Sequence, residues 1–197
     1  TNILDHIPTL SLAAQENDPD GFAQAFGDSF QTFGFAVIAD HGIDAGLIDK
    51  AWAETRKLFE LSEDVKRGYY SAELAGQRGY TPFGTEIAKD AKHVDLKEFW
   101  HIGRDLLAGH RFRDHMPDNI WPTELPEFRA TFEAMYAAFD HAGNRLLSAI
   151  ARYLGLAPDW FAPAARPGFA GDLKRLRGYV TLEDDLVGFL SFALRDG

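Results

Sequence analysis

Apolar residues recur along the chain in two rhythms, and the switches between them mark out its elements. Ile7-Pro8-Thr9-Leu10-Ser11-Leu12 alternates with a period of two and predicts a strand, with the proline placing it at an edge or a start. Asp18-Pro19 offers a cap and a first-turn proline; Phe22, Phe26, Phe30 and Phe33 follow at helical spacing, and Gly34 closes that helix. Phe35 to Ala39 is an apolar run of strand length, and Asp40-His41-Gly42-Ile43 is the turn after it. A second helix starts near Asp44 and carries Leu47, Ile48, Ala51, Thr55, Leu58 and Phe59 on one face. Ser62-Glu63-Asp64 reads as a cap with acidic first-turn residues for a short third helix.

Gly76 to Gly84 has the composition of a loop, and Asp95 to Gly103, of mixed polarity, is a candidate strand. The clearest element runs from Pro126 to Leu154, where Phe128, Phe132, Met135, Phe139, Ala142, Leu146, Ile150 and Tyr153 fall three and four apart. Such a helix is roughly 40 Å long and must be the spine of whatever it packs on. Ala157 to Gly171, rich in Pro, Ala and Gly, reads as loop. Lys174 to Gly197 predicts two strands and a turn at Glu183-Asp184-Asp185. A strand pair alone is marginal in water, so it must dock on the helices or join a larger sheet.

Composition narrows the chemistry. With 20 Lys+Arg against 30 Asp+Glu, the net charge of −10 disfavours nucleic acid and anionic membrane surfaces as partners. The absence of cysteine excludes disulfide scaffolds, thiolate zinc sites and cysteine nucleophiles. The longest apolar run, Leu186 to Leu194, is too short to span a bilayer, and no signal peptide opens the chain, so a cytoplasmic protein is the expectation.

Several residues could carry chemistry. His93-Val94-Asp95 has the His-x-Asp spacing of a facial metal triad, with His101, His110, His115 or His141 as a third ligand, although a solvated structural pair is the commoner meaning of that spacing. His41 is either a base at a pocket edge or a ring bonded to loop backbone. Arg78 and Tyr80, in a Gly-rich loop, could together hold a carboxylate, or could be an exposed cation and a packed ring. Lys97-Glu98-Phe99 reads as a surface ion pair beside a core ring, the Phe stripes as core, and Glu183-Asp184-Asp185 as a charged hairpin tip.

Taken in order, these segments resemble the N-terminal region of 2-oxoglutarate/Fe(II)-dependent dioxygenases of the isopenicillin N synthase-like type, over residues 7 to about 161. The resemblance rests on Ile7-Pro8 with Leu10-Ser11, on Gly34-Phe35 through His41-Gly42-Ile43, and on Phe59 to Lys66. It continues in Arg78-Gly79-Tyr80 with Pro82 and Gly84, and in Asp95-Leu96-Lys97-Glu98-Phe99. It implies an α+β fold: a helical region, 1–161, with its long helix, packed on a small, incomplete jelly-roll-like sheet, of which 162–197 would be one segment.

The same resemblance implies Fe(II) and 2-oxoglutarate as cofactors and a small organic molecule as substrate, with Arg78 as anion anchor and Tyr80 and Phe99 as pocket wall. It places Lys174 and Leu176 where the family carries its iron-binding His and Asp, and puts the third ligand beyond Gly197. An ammonium and an isobutyl group offer no lone pair to a metal, so no catalytic or metal residue is expected in this chain and it is expected to be inactive by itself. The alternative is a non-enzymatic remnant or a small-ligand or partner-binding module. Open sheet edges would in either case favour self-association.

Overall fold

The computed structural model describes residues 7–85, 97–110, 113 and 116–162. The first unit is a strand, a helix and a second, parallel strand. Strand β1 (Thr9–Ser11) runs into a 3-10 turn, helix α1 (Pro19–Phe33) follows, and strand β2 (Val37–Ala39) returns beside β1 with Leu10 opposite Ile38. The α1 boundaries are those its sequence predicts. Asp18 accepts a hydrogen bond from the Gly21 N–H at 2.9 Å, Pro19 opens the first turn, and Gly34 at φ +79° ends the helix.

Helix α2 (Ala45–Glu60) is capped by Asp44, which accepts from the Leu47 N–H at 2.8 Å, and the short helix α3 (Glu63–Arg67) follows. Helix α4 (Phe128–Tyr153) is the spine and packs against both α1 and α2. The core at its C-terminal half joins Leu12, Phe22, Ala23, Phe26, Ala142, Leu146 and Ala149. Close approach of α1 and α4 depends on Gly27, because a Cβ there would lie 2.2 Å from the Tyr153 ring.

A second small sheet lies toward the N-terminal half of α4. Strand β3 (Gly79–Thr81) pairs antiparallel with strand β4 (Phe99–His101), Tyr80 opposite Trp100. Trp100 packs on Phe128 of α4, ring centroids 5.7 Å apart, and on Tyr69 at 5.4 Å.

The structure corrects the reading of Gly76 to Gly84 as loop alone, since it contains β3. That strand escaped notice because all three residues are buried, which leaves no alternation of polarity to detect. It starts at Gly79, where φ is +73° and a Cβ would meet the Tyr69 carbonyl oxygen at 2.6 Å. The candidate strand in Asp95 to Gly103 is present as β4, and the Pro126–Leu154 helix as α4, each trimmed at its ends. Helices with two small sheets are compatible with the α+β class. Among the described residues no helix is long and apolar enough to cross a membrane.

Candidate functional site

The β3–β4 hairpin gathers the polar residues that the apolar core leaves out, in two clusters. In the first, Lys66 of α3 and Tyr80 of β3 converge on Glu98. The Lys66 Nζ lies 2.6 Å from Glu98 Oε2, and the Tyr80 hydroxyl donates to the same oxygen at 2.5 Å. Lys66 also donates to the Phe59 carbonyl at 3.4 Å and lies 3.6 Å from Glu63. The ammonium sits over the Tyr80 ring, 5.4 Å from its centroid. Tyr80 is completely buried and Lys66 nearly so.

Buried charges persist only when paired and hydrogen-bonded, and this cluster meets that condition. Burial alone would raise the Glu98 carboxyl. The hydrogen bonds from Lys66 and Tyr80, with the Lys66 charge, outweigh it and hold Glu98 below the ordinary carboxylate value. Burial first, and then the Glu98 carboxylate, push the Tyr80 phenol well above its ordinary range. Tyr80 is therefore a hydrogen-bond donor throughout the physiological range.

The second cluster surrounds Arg78, which is 7% exposed. Its Nη1 donates to the Gln77 carbonyl at 2.6 Å, and its Nε is buried with no hydrogen-bond partner. The guanidinium packs against Gly103, where a Cβ would come within 2.1 Å of Cζ and Nη2. Gly103 is itself clamped: its N–H donates to Asn119 Oδ1 at 2.8 Å, and Asn119 Nδ2 donates to the Gly103 carbonyl at 2.8 Å. Burial lowers the Arg78 pKa, partly opposed by Tyr136 and Asp105. Nearby, Arg104 binds Asp140 of α4 at 2.7 Å and lies over the Tyr136 ring at 5.5 Å.

The hairpin thus holds Arg78, Tyr80 and Phe99, but in different surroundings. Arg78 faces Gly103, Tyr80 faces Lys66 and Glu98, and half-buried Phe99 tilts against His101 with centroids 4.6 Å apart. Glu98 corrects the sequence reading of a surface ion pair, because its partner is Lys66, 32 positions away, at a partly buried site. Sequence reasoning missed Lys66, Gly103 and Asn119. Strict i, i+3 and i, i+4 spacing finds neighbours on one helix, and these partners meet only through the tertiary fold.

The other candidates fall apart in space. His41 accepts the Ile43 N–H on Nδ1 at 3.1 Å, and its ring edges a cavity of about 20 Å³, enough for one water, lined also by Leu12, Ile38, Phe139, Ala142 and Leu146. A His101 ring nitrogen is 2.6 Å from the Gly76 carbonyl, and His141 lines an open groove beside Arg145 and Arg152. His93, Asp95, His115, Lys174, Leu176 and Glu183 to Asp185 lie outside the described residues. Among the described residues no three or more His, Cys, Asp or Glu side chains group so as to hold a metal ion.

Comparison with known proteins gives this hairpin a setting. Residues 7–124 match the family model of the non-haem dioxygenase in morphine synthesis N-terminal region. The chain is 33% identical over 151 residues to flavanone 3-dioxygenase 2 of Oryza sativa subsp. japonica, covering 76% of this chain and 41% of that protein. A solved 2OG-Fe(II) oxygenase family protein from Caulobacter crescentus superposes with a TM-score of 0.73 at 46% identity, over 80% of this chain and 51% of its own.

A full-length Neurospora crassa protein, solved in complex with alpha-KG, shares the fold with a TM-score of 0.64 at 24% identity, over 80% of this chain and 46% of that one. The chain spans about half the length of the curated relatives it matches. These matches do not favour a binding module of another class. With the family model covering well over half of its residues, the chain belongs to the 2-oxoglutarate/Fe(II)-dependent dioxygenase family.

Proposed function

We propose that this chain is the helical, substrate-side part of an Fe(II)/2-oxoglutarate-dependent dioxygenase that oxidises a small organic molecule. In this reading residues 1–161 brace a jelly-roll sheet to which 162–197 contribute, and Arg78 anchors an anionic group of the substrate. Phe99 forms the wall beside that anchor, and Tyr80 backs the wall from within. The observation that carries the reading is the buried Arg78 guanidinium, which among the described residues has one hydrogen bond and no carboxylate within ion-pairing distance. A buried cation without a direct ion pair is costly, and a substrate carboxylate would supply one.

Iron and 2-oxoglutarate supply the oxygen-activating chemistry of this family when bound. The donor set of this chain does not match that need. Lys174 and Leu176 hold the positions the resemblance assigns to ligands, and neither side chain offers a lone pair to a ferrous ion. No step is therefore assigned to metal held by this chain, and the chain by itself is proposed to be inactive. Arg78→Ala is expected to weaken binding of a small carboxylic acid, followed by ligand-observed NMR, by about 1–3 kcal/mol. Unchanged affinity would remove Arg78 from the substrate side.

A further inference from the structure

The enclosed space beside His41 has room for a molecule but almost nothing polar to hold one. About 20 Å³ is open there, bounded by Leu12, Ile38, Phe139, Ala142 and Leu146 with the His41 ring at its rim. A resident water would need about two to four hydrogen bonds. The groups that could supply them are already committed. His41 Nδ1 accepts the Ile43 N–H at 3.1 Å, and the Leu12 carbonyl accepts from Arg145 Nη2 at 2.8 Å. Ile38 lies opposite Leu10 in the β1–β2 ladder, and Ala142 and Leu146 lie within α4, where backbone groups bond along the helix. The lining that remains is almost entirely hydrocarbon.

The space has an identifiable source. Phe139, Ala142 and Leu146 follow at helical spacing on the core side of α4, and of the three only Ala142 ends in a methyl. Leu12, Ala142 and Leu146 are buried, so the gap lies inside the core and not in a surface dimple. Protein interiors are close-packed, and atoms lining a void lack dispersion partners on that side. A small nonpolar guest supplies those contacts and gives up little hydration on entry. An ion or a polar metabolite would lose its hydration with nothing in return.

We propose that this cavity, where β1 and β2 meet α4, is a binding site for a small nonpolar gas, and that in an oxygenase the gas is dioxygen. Dioxygen is a nonpolar diatomic hardly broader than a water molecule, and it needs no hydrogen bond. The site stands on the cavity and its lining, away from the β3–β4 hairpin. The choice of dioxygen as guest rests on the oxygenase reading. Occupancy does not depend on Arg78 or on iron, so its failure and the failure of the proposed function are separable.

The test is methyl NMR of the full chain under raised pressure of dioxygen, with nitrogen at the same pressure as the diamagnetic control. Paramagnetic relaxation at the Leu12, Ile38 and Leu146 methyls should exceed, several-fold, that at Leu58, buried under α2, and at exposed Leu107. Ala142→Val, which fills the space, should bring the three residues down to the Leu58 level and raise the thermal midpoint. Leu146→Ala, which enlarges it, should increase the effect at Leu12 and Ile38. Wild-type enhancement no greater than at Leu58 overturns the proposal, whether or not either variant folds. So does a long-lived water detected by cross-relaxation with the Leu12 or Ile38 methyls. Enhancement unchanged in folded Ala142→Val places the gas elsewhere and also overturns it.

Discussion

The two ends of helix α4 are stabilised by opposite means. Toward its C-terminus, Ala142, Leu146 and Ala149 meet Leu12, Phe22 and Phe26 in a core that any apolar side chain of similar volume could help to build. Toward its N-terminus, Phe128 packs under Trp100, and the hairpin above is held by particular pairs: Lys66 with Glu98, Tyr80 with Glu98, Asn119 with Gly103. Non-directional burial fixes the scaffold, whereas directional bonds fix the hairpin.

The largest expected effect lies in the apolar half. Phe26→Ala removes a buried ring that contacts Phe22 and Phe30, and denaturant unfolding should show a loss of about 3–5 kcal/mol. A loss below about 1 kcal/mol would mean that this core is not the principal source of stability.

Next is the buried ion pair. Lys66→Met leaves the Glu98 carboxylate, among the described residues, with only Tyr80 as donor in a partly buried site, and a loss of about 3 kcal/mol is expected. Adding Glu98→Gln should recover part of that loss, because the stranded charge is gone. A double variant as unstable as the sum of the two singles would show that the residues do not interact.

In α1, Asp18→Ala should cost about 1 kcal/mol through its cap on the Gly21 N–H, with no change at the hairpin. A matching loss of amide protection in β3 and β4 would show that the two halves do not fold independently of this cap.

The smallest effect at neutral pH is an acid-side slope. Glu98 has a lower pKa folded than unfolded, so the folded state binds fewer protons there. Its contribution is present above its ordinary value of 4.5 and is lost as pH falls through the folded value. Glu98→Gln should flatten that part of the stability–pH curve, and an unaltered acid limb would contradict the assignment.

The same division explains what the sequence made legible. The Phe stripe of α1, its Asp-Pro start and Gly34 stop, and the long apolar stripe of α4 are local signals, and each element formed where its signal lay. Glu54 shows the limit of such reasoning even on a helix. It lies on the buried side of α2, between Ala51 and Leu58, and is held there by Lys57 at 2.6 Å. Around the hairpin, Lys97 stands next to Glu98 in sequence and drew the pairing away from Lys66. Gly103 and Asn119 carry no motif at all, and their roles appear only when the chain brings them beneath Arg78. Arg78 was legible as a cation in a Gly-rich segment, but its burial and its unpartnered Nε were not.

The central claim, that this chain supplies the substrate side and no iron donors, is most directly tested by anaerobic calorimetric titration of the full chain with Fe(II) in the presence of 2-oxoglutarate. The expected result is only weak, non-saturating binding of the kind exposed histidines and carboxylates give. One ferrous ion bound saturably per chain, at micromolar affinity and dependent on 2-oxoglutarate, would contradict it.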